Sequence, residues 1–196
     1  MLIKQGANAD VKNDKGETPL HQAVMAMNEH GIELVHMLLE HGVDVNARAK
    51  DGSTPLLTVI REYWNVKIIV QMLIKHGANV SAEDENGRTP LHEAAVHHSR
   101  EYRLDLVRML LWHGADIEAR ANDNSTPLLM AAKRGHFDVM RVLLKYGANA
   151  EVEDKKGRTS FRIASTRGYD DIVELLSDHG AKAVFSVSTS SLCLPW

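Results

Sequence analysis

Eleven histidines in a chain of 196 residues are the groups best placed, by type and number, to do chemistry. Two arrangements of them suggest a metal. The run His92-Glu93-Ala94-Ala95-Val96-His97 has the outline of a zinc-protease helix, in which two histidines four residues apart hold the ion and the glutamate acts as general base. Here the second histidine comes five residues on, and so turns off the shared face. His41, His76, His113 and His179 stand at one recurrent place in the chain. If they sit on successive packed helices they are separated by roughly 8–10 Å, too far for two ligands whose bonds to one zinc are about 2 Å long. Histidines at helix C-termini, where a cation or a ring donor meets free carbonyls, account for them better. Carboxylates such as Asp84, Glu85, Asp170 and Asp171 fall on expected turns and helix starts, where acids suit the helix dipole. There is no Gly-rich phosphate loop, no Gly-x-Ser-x-Gly elbow and no Cys-x-x-Cys pair. The residues predict no catalytic centre, no metal and no cofactor.

The elements that carry these residues repeat. Gly6, Gly42, Gly77, Gly114, Gly147 and Gly180 each close an apolar run. Boxes begin at Thr18, Thr54, Thr89, Thr126 and Thr159, each at the same distance from the glycine before it. Self-similarity at this period means stacked supersecondary units rather than one globular core. Thr-Pro at the head of four boxes predicts a helix start, with the hydroxyl accepting from a first-turn N–H and proline tolerated at the first position. Thr159-Ser160 is a weaker start. A second stretch, such as Val139, Val142, Leu143 and Leu144, has apolar residues at helical spacing, and the glycine after it suits a left-handed helix end. Lys15-Gly16, Asp51-Gly52, Asn86-Gly87 and Lys156-Gly157 mark tight turns, and Asn124 takes the glycine's place in the fourth copy. The unit is helix, turn, helix, β-turn.

Thr18-Pro19-Leu20-His21-Gln22-Ala23, Thr89-Pro90-Leu91-His92-Glu93-Ala94-Ala95 and Leu143-Leu144-Lys145-Tyr146-Gly147-Ala148-Asn149 closely resemble the signatures of the ankyrin repeat family. The resemblance implies an all-α ankyrin-repeat solenoid of helix-turn-helix units joined by β-turn/hairpin loops. It spans an array over residues 1–183: a partial repeat 1–12, then repeats at about 13–48, 49–83, 84–120, 121–153 and 154–183. Leu57, Leu129 and Arg162 depart from the box histidine, which leaves the hydrogen bonds of that histidine open in those repeats. The Ser/Thr-rich residues 184–196 are expected to form a flexible tail.

The stretches from Thr18 to Gly42, Thr54 to Gly77 and Thr89 to Gly114 are longer than those from Thr126 to Gly147 and Thr159 to Gly180. The first three repeats therefore carry extra residues near the helix–helix turn, in Met27–Gly31, Glu62–Val66 and His97–Arg103. Growth of the first helix or of its loop would absorb them. Tyr63, Trp64 and Tyr102 lie in these insertions; they either pack on the lengthened helices or form a second contact surface. A net charge of −3 argues against general nucleic-acid binding. One cysteine, Cys193, excludes an internal disulfide and suits a reducing compartment, and no apolar run has membrane length. A monomeric intracellular protein, cytoplasmic or nuclear, is expected.

The function that follows is non-covalent protein recognition. The resemblance implies a concave face made of β-turn tips and first helices, either in a free-standing scaffold or in the targeting arm of a larger enzyme, channel or ubiquitin-ligase adaptor. Candidate contacts on the final two repeats are basic: Lys133, Arg134, Lys155, Lys156, Arg158, Arg162 and Arg167. Arg61, Glu62 and Arg88 stand at matching places in the second and third repeats, with Tyr63 and Trp64 on the edge. Such a face would steer an acidic or phosphorylated partner segment toward the C-terminal end.

Overall fold

A computed structural model describes residues 9–26, 29–62 and 67–180. Among them are ten helices and no strand. The helices form five antiparallel pairs: α1 (Pro19–Met25) with α2 (Glu29–Glu40), α3 (Pro55–Glu62) with α4 (Lys67–Lys75), α5 (Pro90–Val96) with α6 (Arg100–Trp112), α7 (Pro127–Arg134) with α8 (Phe137–Lys145), and α9 (Ser160–Arg167) with α10 (Asp170–Asp178). Residues 1–8, 27–28, 63–66 and 181–196 fall outside the described residues, and with them Tyr63, Trp64 and the expected tail.

The box threonines start their helices in two ways. Thr126 Oγ1 accepts from Leu129 N at 3.3 Å and Thr159 Oγ1 from Arg162 N at 3.2 Å. In the histidine-bearing boxes the ring also takes part: Thr18 N donates to His21 Nδ1, and Thr89 N to His92 Nδ1, both at 3.1 Å. That bond leaves Nδ1 unprotonated, so Nε2 carries the hydrogen and donates across the repeat boundary, from His21 to Ser53 O at 3.1 Å and from His92 to Ser125 O at 2.9 Å. Burial lowers the pKa of both rings, against the opposing pull of those carbonyls. Where the histidine is missing, Leu57 and Leu129 are wholly buried instead. The weaker fifth start has a visible cost: the Ser160 hydroxyl, in the place of the usual proline, is buried with no hydrogen-bond partner among the described residues.

One apolar stripe per helix builds the core. Leu20, Leu56, Leu91 and Leu128 stand second after the box threonine, and Leu38, Leu73, Leu110, Leu143 and Leu176 stand four before each helix-ending glycine; all are at most 1% exposed. Each such burial contributes about 1.5–3 kcal/mol. The odd-numbered helices pack on one another more extensively than the even-numbered ones. Small residues at Ala23, Ala94, Ala131 and Ala164 permit that closeness, so the odd-numbered helices form a tight inner row and the even-numbered ones a looser outer row.

The added residues of the first and third repeats do not lengthen the first helix. The first helices there, α1 and α5, have seven residues, while α2 has 12 and α6 has 13, against nine in α8 and α10. The inner row is hemmed in by neighbours on both sides, so growth goes to the looser outer row. The extra turn of α6 is packed rather than free: Arg103, 6% exposed, donates from Nη2 to both Asp138 oxygens at 3.2 and 3.1 Å and from Nη1 to His97 O at 3.3 Å. Tyr102 beside it is half-buried.

Candidate functional site

Between each pair of helix hairpins the chain projects a tight turn, and the turns are bonded tip to tip. Lys50 N donates to Lys15 O, Glu85 N to Asp51 O, Asn122 N to Asn86 O and Lys155 N to Asp123 O, at 2.8–3.0 Å. Each turn needs one residue at positive φ. Asn124 supplies it in the fourth copy at φ 62°, as the sequence pattern predicts, and glycine does so elsewhere. Together the tips and the inner helices make one continuous surface.

Cations on this surface divide into two sets. The first set is occupied. Arg61, in the last turn of α3, donates from Nη2 to Asp84 Oδ2 at 2.8 Å and to Glu93 Oε1 at 3.3 Å, and from Nη1 to Ser53 Oγ at 3.2 Å. Burial works against its charge, but Glu93 and Asp84 outweigh that and raise its pKa. Arg88 Nη1 lies 3.5 Å from the same Glu93 oxygen. Lys133, at the place of Arg61 two repeats further on, repeats the pattern. Its Nζ donates to Ser125 Oγ at 2.6 Å and to Asp123 Oδ2 at 3.1 Å, and lies 3.3 Å from Asp154 Oδ2. Arg158 holds Asp154 Oδ2 through both Nε and Nη2, at 3.1 and 2.7 Å. Burial pushes the Asp154 carboxyl up, but the bonds from Arg158, from the N–H groups of Lys156 and Arg158 and from Lys133 prevail and hold it at about 2.

The second set is free. Arg134, Lys155, Lys156, Arg162 and Arg167 are exposed, and none is in ion-pair contact with a carboxylate among the described residues. Arg162 owes its exposure to its place: it occupies the box-histidine position of the fifth repeat, where no described helix covers it. Glu62 is exposed at the end of α3. Of the residues the sequence places on the contact face, Arg61, Arg88, Lys133 and Arg158 are thus engaged within the array.

Their partners were missed because Asp84 reads as a turn acid. It is buried, with a side chain only 2% exposed, as is that of Asp154. The signal lies in columns. Five residues before each box threonine stand Asn13, Ala49, Asp84, Ala121 and Asp154; seven after it stand Met25, Arg61, Val96, Lys133 and Thr166. A basic residue in one repeat therefore meets an aspartate in the next at the second-to-third and fourth-to-fifth junctions, and the same two places at the other two junctions hold an apolar residue and an alanine.

Among the described residues no three metal-ligating side chains converge, and no helix is long and apolar enough to cross a membrane. The family profile described as "Ankyrin repeats (3 copies)" matches residues 24–121 and 98–185. Similar curated proteins include the 2-5A-dependent ribonuclease of Mus musculus, 42% identical over 57 residues, which is 29% of this chain and 7% of the relative. Ankyrin repeat and MYND domain-containing protein 1 of Mus musculus is 43% identical over 61 residues, 31% of this chain and 6% of the relative. A putative ankyrin repeat protein of Fowlpox virus is 30% identical over 56 residues, 29% of this chain and 13% of the relative. The matched segments thus span a small part of each relative's length.

Proposed function

Since the chain belongs to the ankyrin repeat family, whose repeats are protein-interaction modules, we propose that its array over residues 1–183 recognises a segment of a protein partner along the tips and inner helices. The partner segment is acidic or phosphorylated and lies toward the C-terminal repeats. One observation supports this: Arg134, Lys155, Lys156, Arg162 and Arg167 gather on the last two repeats, exposed and without carboxylate partners among the described residues, while Arg61 and Arg88 are paired and only Lys15 and Lys50 are left exposed without an ion pair on the tips of the first two repeats. Unpaired like charges repel one another in the free protein and are relieved by an anion, so they favour fast, salt-sensitive association. The array acts by binding rather than catalysis, as an intracellular monomer.

The relatives are many times longer than the segments they share with this chain. This favours a second reading in which the array is the recognition arm of a larger enzyme, channel or ubiquitin-ligase adaptor.

The test is Lys155→Glu, Lys156→Glu and Arg162→Glu together, measured by stopped-flow association with the natural partner. The variant is expected to associate at least about tenfold more slowly at low salt and to show a flatter salt dependence, with an unchanged unfolding midpoint. An unaltered association rate at low salt overturns the assignment.

A further inference from the structure

A second surface breaks the repeat pattern on the outer helices. Two residues before each helix-ending glycine stand Glu40, Lys75, Trp112, Lys145 and Asp178. Four copies place a charge there, as an exposed helix end requires. The third places a tryptophan that is 83% exposed. One residue before each glycine stand His41, His76, His113, Tyr146 and His179. Three of those histidines bond through Nδ1 to the carbonyl four residues back, His41 to Met37 O at 2.7 Å, His76 to Met72 O and His179 to Leu175 O at 2.8 Å. A tyrosine ring has no nitrogen to offer that carbonyl, and Tyr146 is 52% exposed. Two adjoining repeats thus each give up a polar group that suits a helix end and present an aromatic ring to solvent instead. The other copies, within the same chain, show that the fold does not need either change.

Cations stand near both rings along their helices. Arg108 stands one turn before Trp112 on α6, and Arg141 and Lys145 stand one turn apart on α8. Arg108, Val142, Lys145 and Tyr146 line a groove of about 380 Å³ between these helices. None of the three cations is in ion-pair contact among the described residues. The acids nearest α6 are engaged or distant, and Glu174 and Asp178, at the matching places on α10, form no ion pair with Arg141 or Lys145 among the described residues. Asp105 is held by Lys67 at 2.8 Å and Asp138 by Arg103 at 3.1 Å. Asp116 accepts from Glu118 N at 2.9 Å and Glu118 from Asn149 N at 2.6 Å. Glu101 lies two turns from Arg108, roughly 10 Å along the helix. Aromatic rings among unpaired guanidinium groups are the composition of an interface centre, where Trp, Tyr and Arg carry most of the binding energy.

We propose that the outer surface of α6 and α8 is a second docking site, for an acidic protein segment whose apolar side chain enters the groove beside Trp112 and Tyr146 while its carboxylates meet Arg108, Arg141 and Lys145. It is separate from the tip face, so the array can hold two segments at once.

The test selects peptides from a random display library on the whole chain. Every selected peptide is then measured against two variants, an outer one (Arg108→Glu, Trp112→Ser, Lys145→Glu) and an inner one (Lys155→Glu, Lys156→Glu, Arg162→Glu). All the altered side chains are on the surface, and circular dichroism checks that both variants fold. The expected result is a class of net-negative peptides with an apolar anchor that bind the outer variant at least about tenfold more weakly and the inner variant unchanged. The proposal is overturned if no selected peptide weakens on the outer variant, or if those that do are neutral or basic. It is equally overturned if sedimentation shows the wild-type chain self-associating through this face and the outer variant monomeric, which would make a second copy the occupant. If the outer class is found but no selected peptide weakens on the inner variant, this site is supported and the result bears only against the tip face.

Discussion

Lys133 Nζ lies 3.3 Å from Asp154 Oδ2 across a repeat boundary, and the same carboxylate oxygen is held from its own repeat by Arg158 at 2.7 Å. A carboxylate with a side chain 2% exposed is costly to bury alone and is tolerable only with such partners. Lys133 is therefore a bond between repeats, although its place in the sequence reads as a partner contact.

Asp154→Ala is expected to cost on the order of 2 kcal/mol, the stabilisation implied by a carboxyl held at about 2 rather than 3.8. Lys133→Val leaves Arg158 in place and is expected to cost less than about 1 kcal/mol. The double variant recreates the apolar junction made by Val96 and Ala121 and should cost little more than Asp154→Ala alone. Urea titrations of the four proteins give the coupling, expected at about 0.5 kcal/mol. Strict additivity would mean the ion pair does not join the repeats.

Gly52 and Gly157 sit at the same place in two tips, with φ of 74° and 64°. A Cβ on Gly52 would stand 2.8 Å from Glu85 N in the next tip, whereas one on Gly157 meets nothing nearer than 3.9 Å among the described residues. Both Gly→Ala changes carry the left-handed penalty of about 1–2 kcal/mol. Gly52→Ala should cost at least about 1 kcal/mol more than Gly157→Ala, because its obstacle is backbone. Equal midpoints in thermal melts would show that the tips are not in firm register.

Stability should fall in two steps as pH drops. His21, His92 and His136 are all held below their ordinary pKa, first by burial and against the opposing pull of the carbonyls of Ser53, Ser125 and Ala95. A group with a folded pKa below its unfolded 6.5 binds more protons when unfolded, so its contribution is complete above that pH and is lost as pH falls below it. The second step belongs to the carboxyls held below their ordinary pKa, Asp154 foremost with Asp51 and Asp123; it is complete above 3.8 and lost as pH falls, toward about 2 for Asp154. Calorimetric melts from pH 7.5 to 2.5 measure both. His92→Leu, the choice already made at Leu57 and Leu129, should shrink the upper step and leave the lower one. A midpoint that does not move between pH 7.5 and 5.5 would contradict the neutral-histidine assignment.

Leu143→Ala removes a fully buried side chain from α8. It should cost about 2–5 kcal/mol, with the loss shared by the flanking repeats because they are coupled to it. Hydrogen exchange resolves this repeat by repeat, and a cost below about 0.5 kcal/mol would place Leu143 on the wrong face.

The architecture was legible because it is written in spacing. Thr126 and Gly147 bracket a helix pair whatever the residues between them do, and Asn124 could be assigned its positive φ from chain position alone. The growth of α6 was misplaced because residue counts locate an insertion between two markers without saying which helix is free to extend; that depends on the crowding of the inner row. Paired and free cations look alike in sequence, so Lys133 and Lys156 could not be told apart until the depth of Asp154 was known. Trp112 hid for a different reason. A tryptophan at the end of an apolar stripe reads as core, and only comparison with Glu40, Lys75, Lys145 and Asp178 shows it to be out of place.

The alternation of junctions sets a grammar for how such an array can change length. Excise repeats three and four together, and Arg61 faces Asp154, a match of the kind it already has with Asp84. Excise the third repeat alone, and Arg61 faces Ala121 with its guanidinium half-buried and its aspartate gone. Deletion or duplication of two adjacent internal repeats therefore preserves the matching of these junctions, whereas a change of one internal repeat leaves a charged group facing an apolar place.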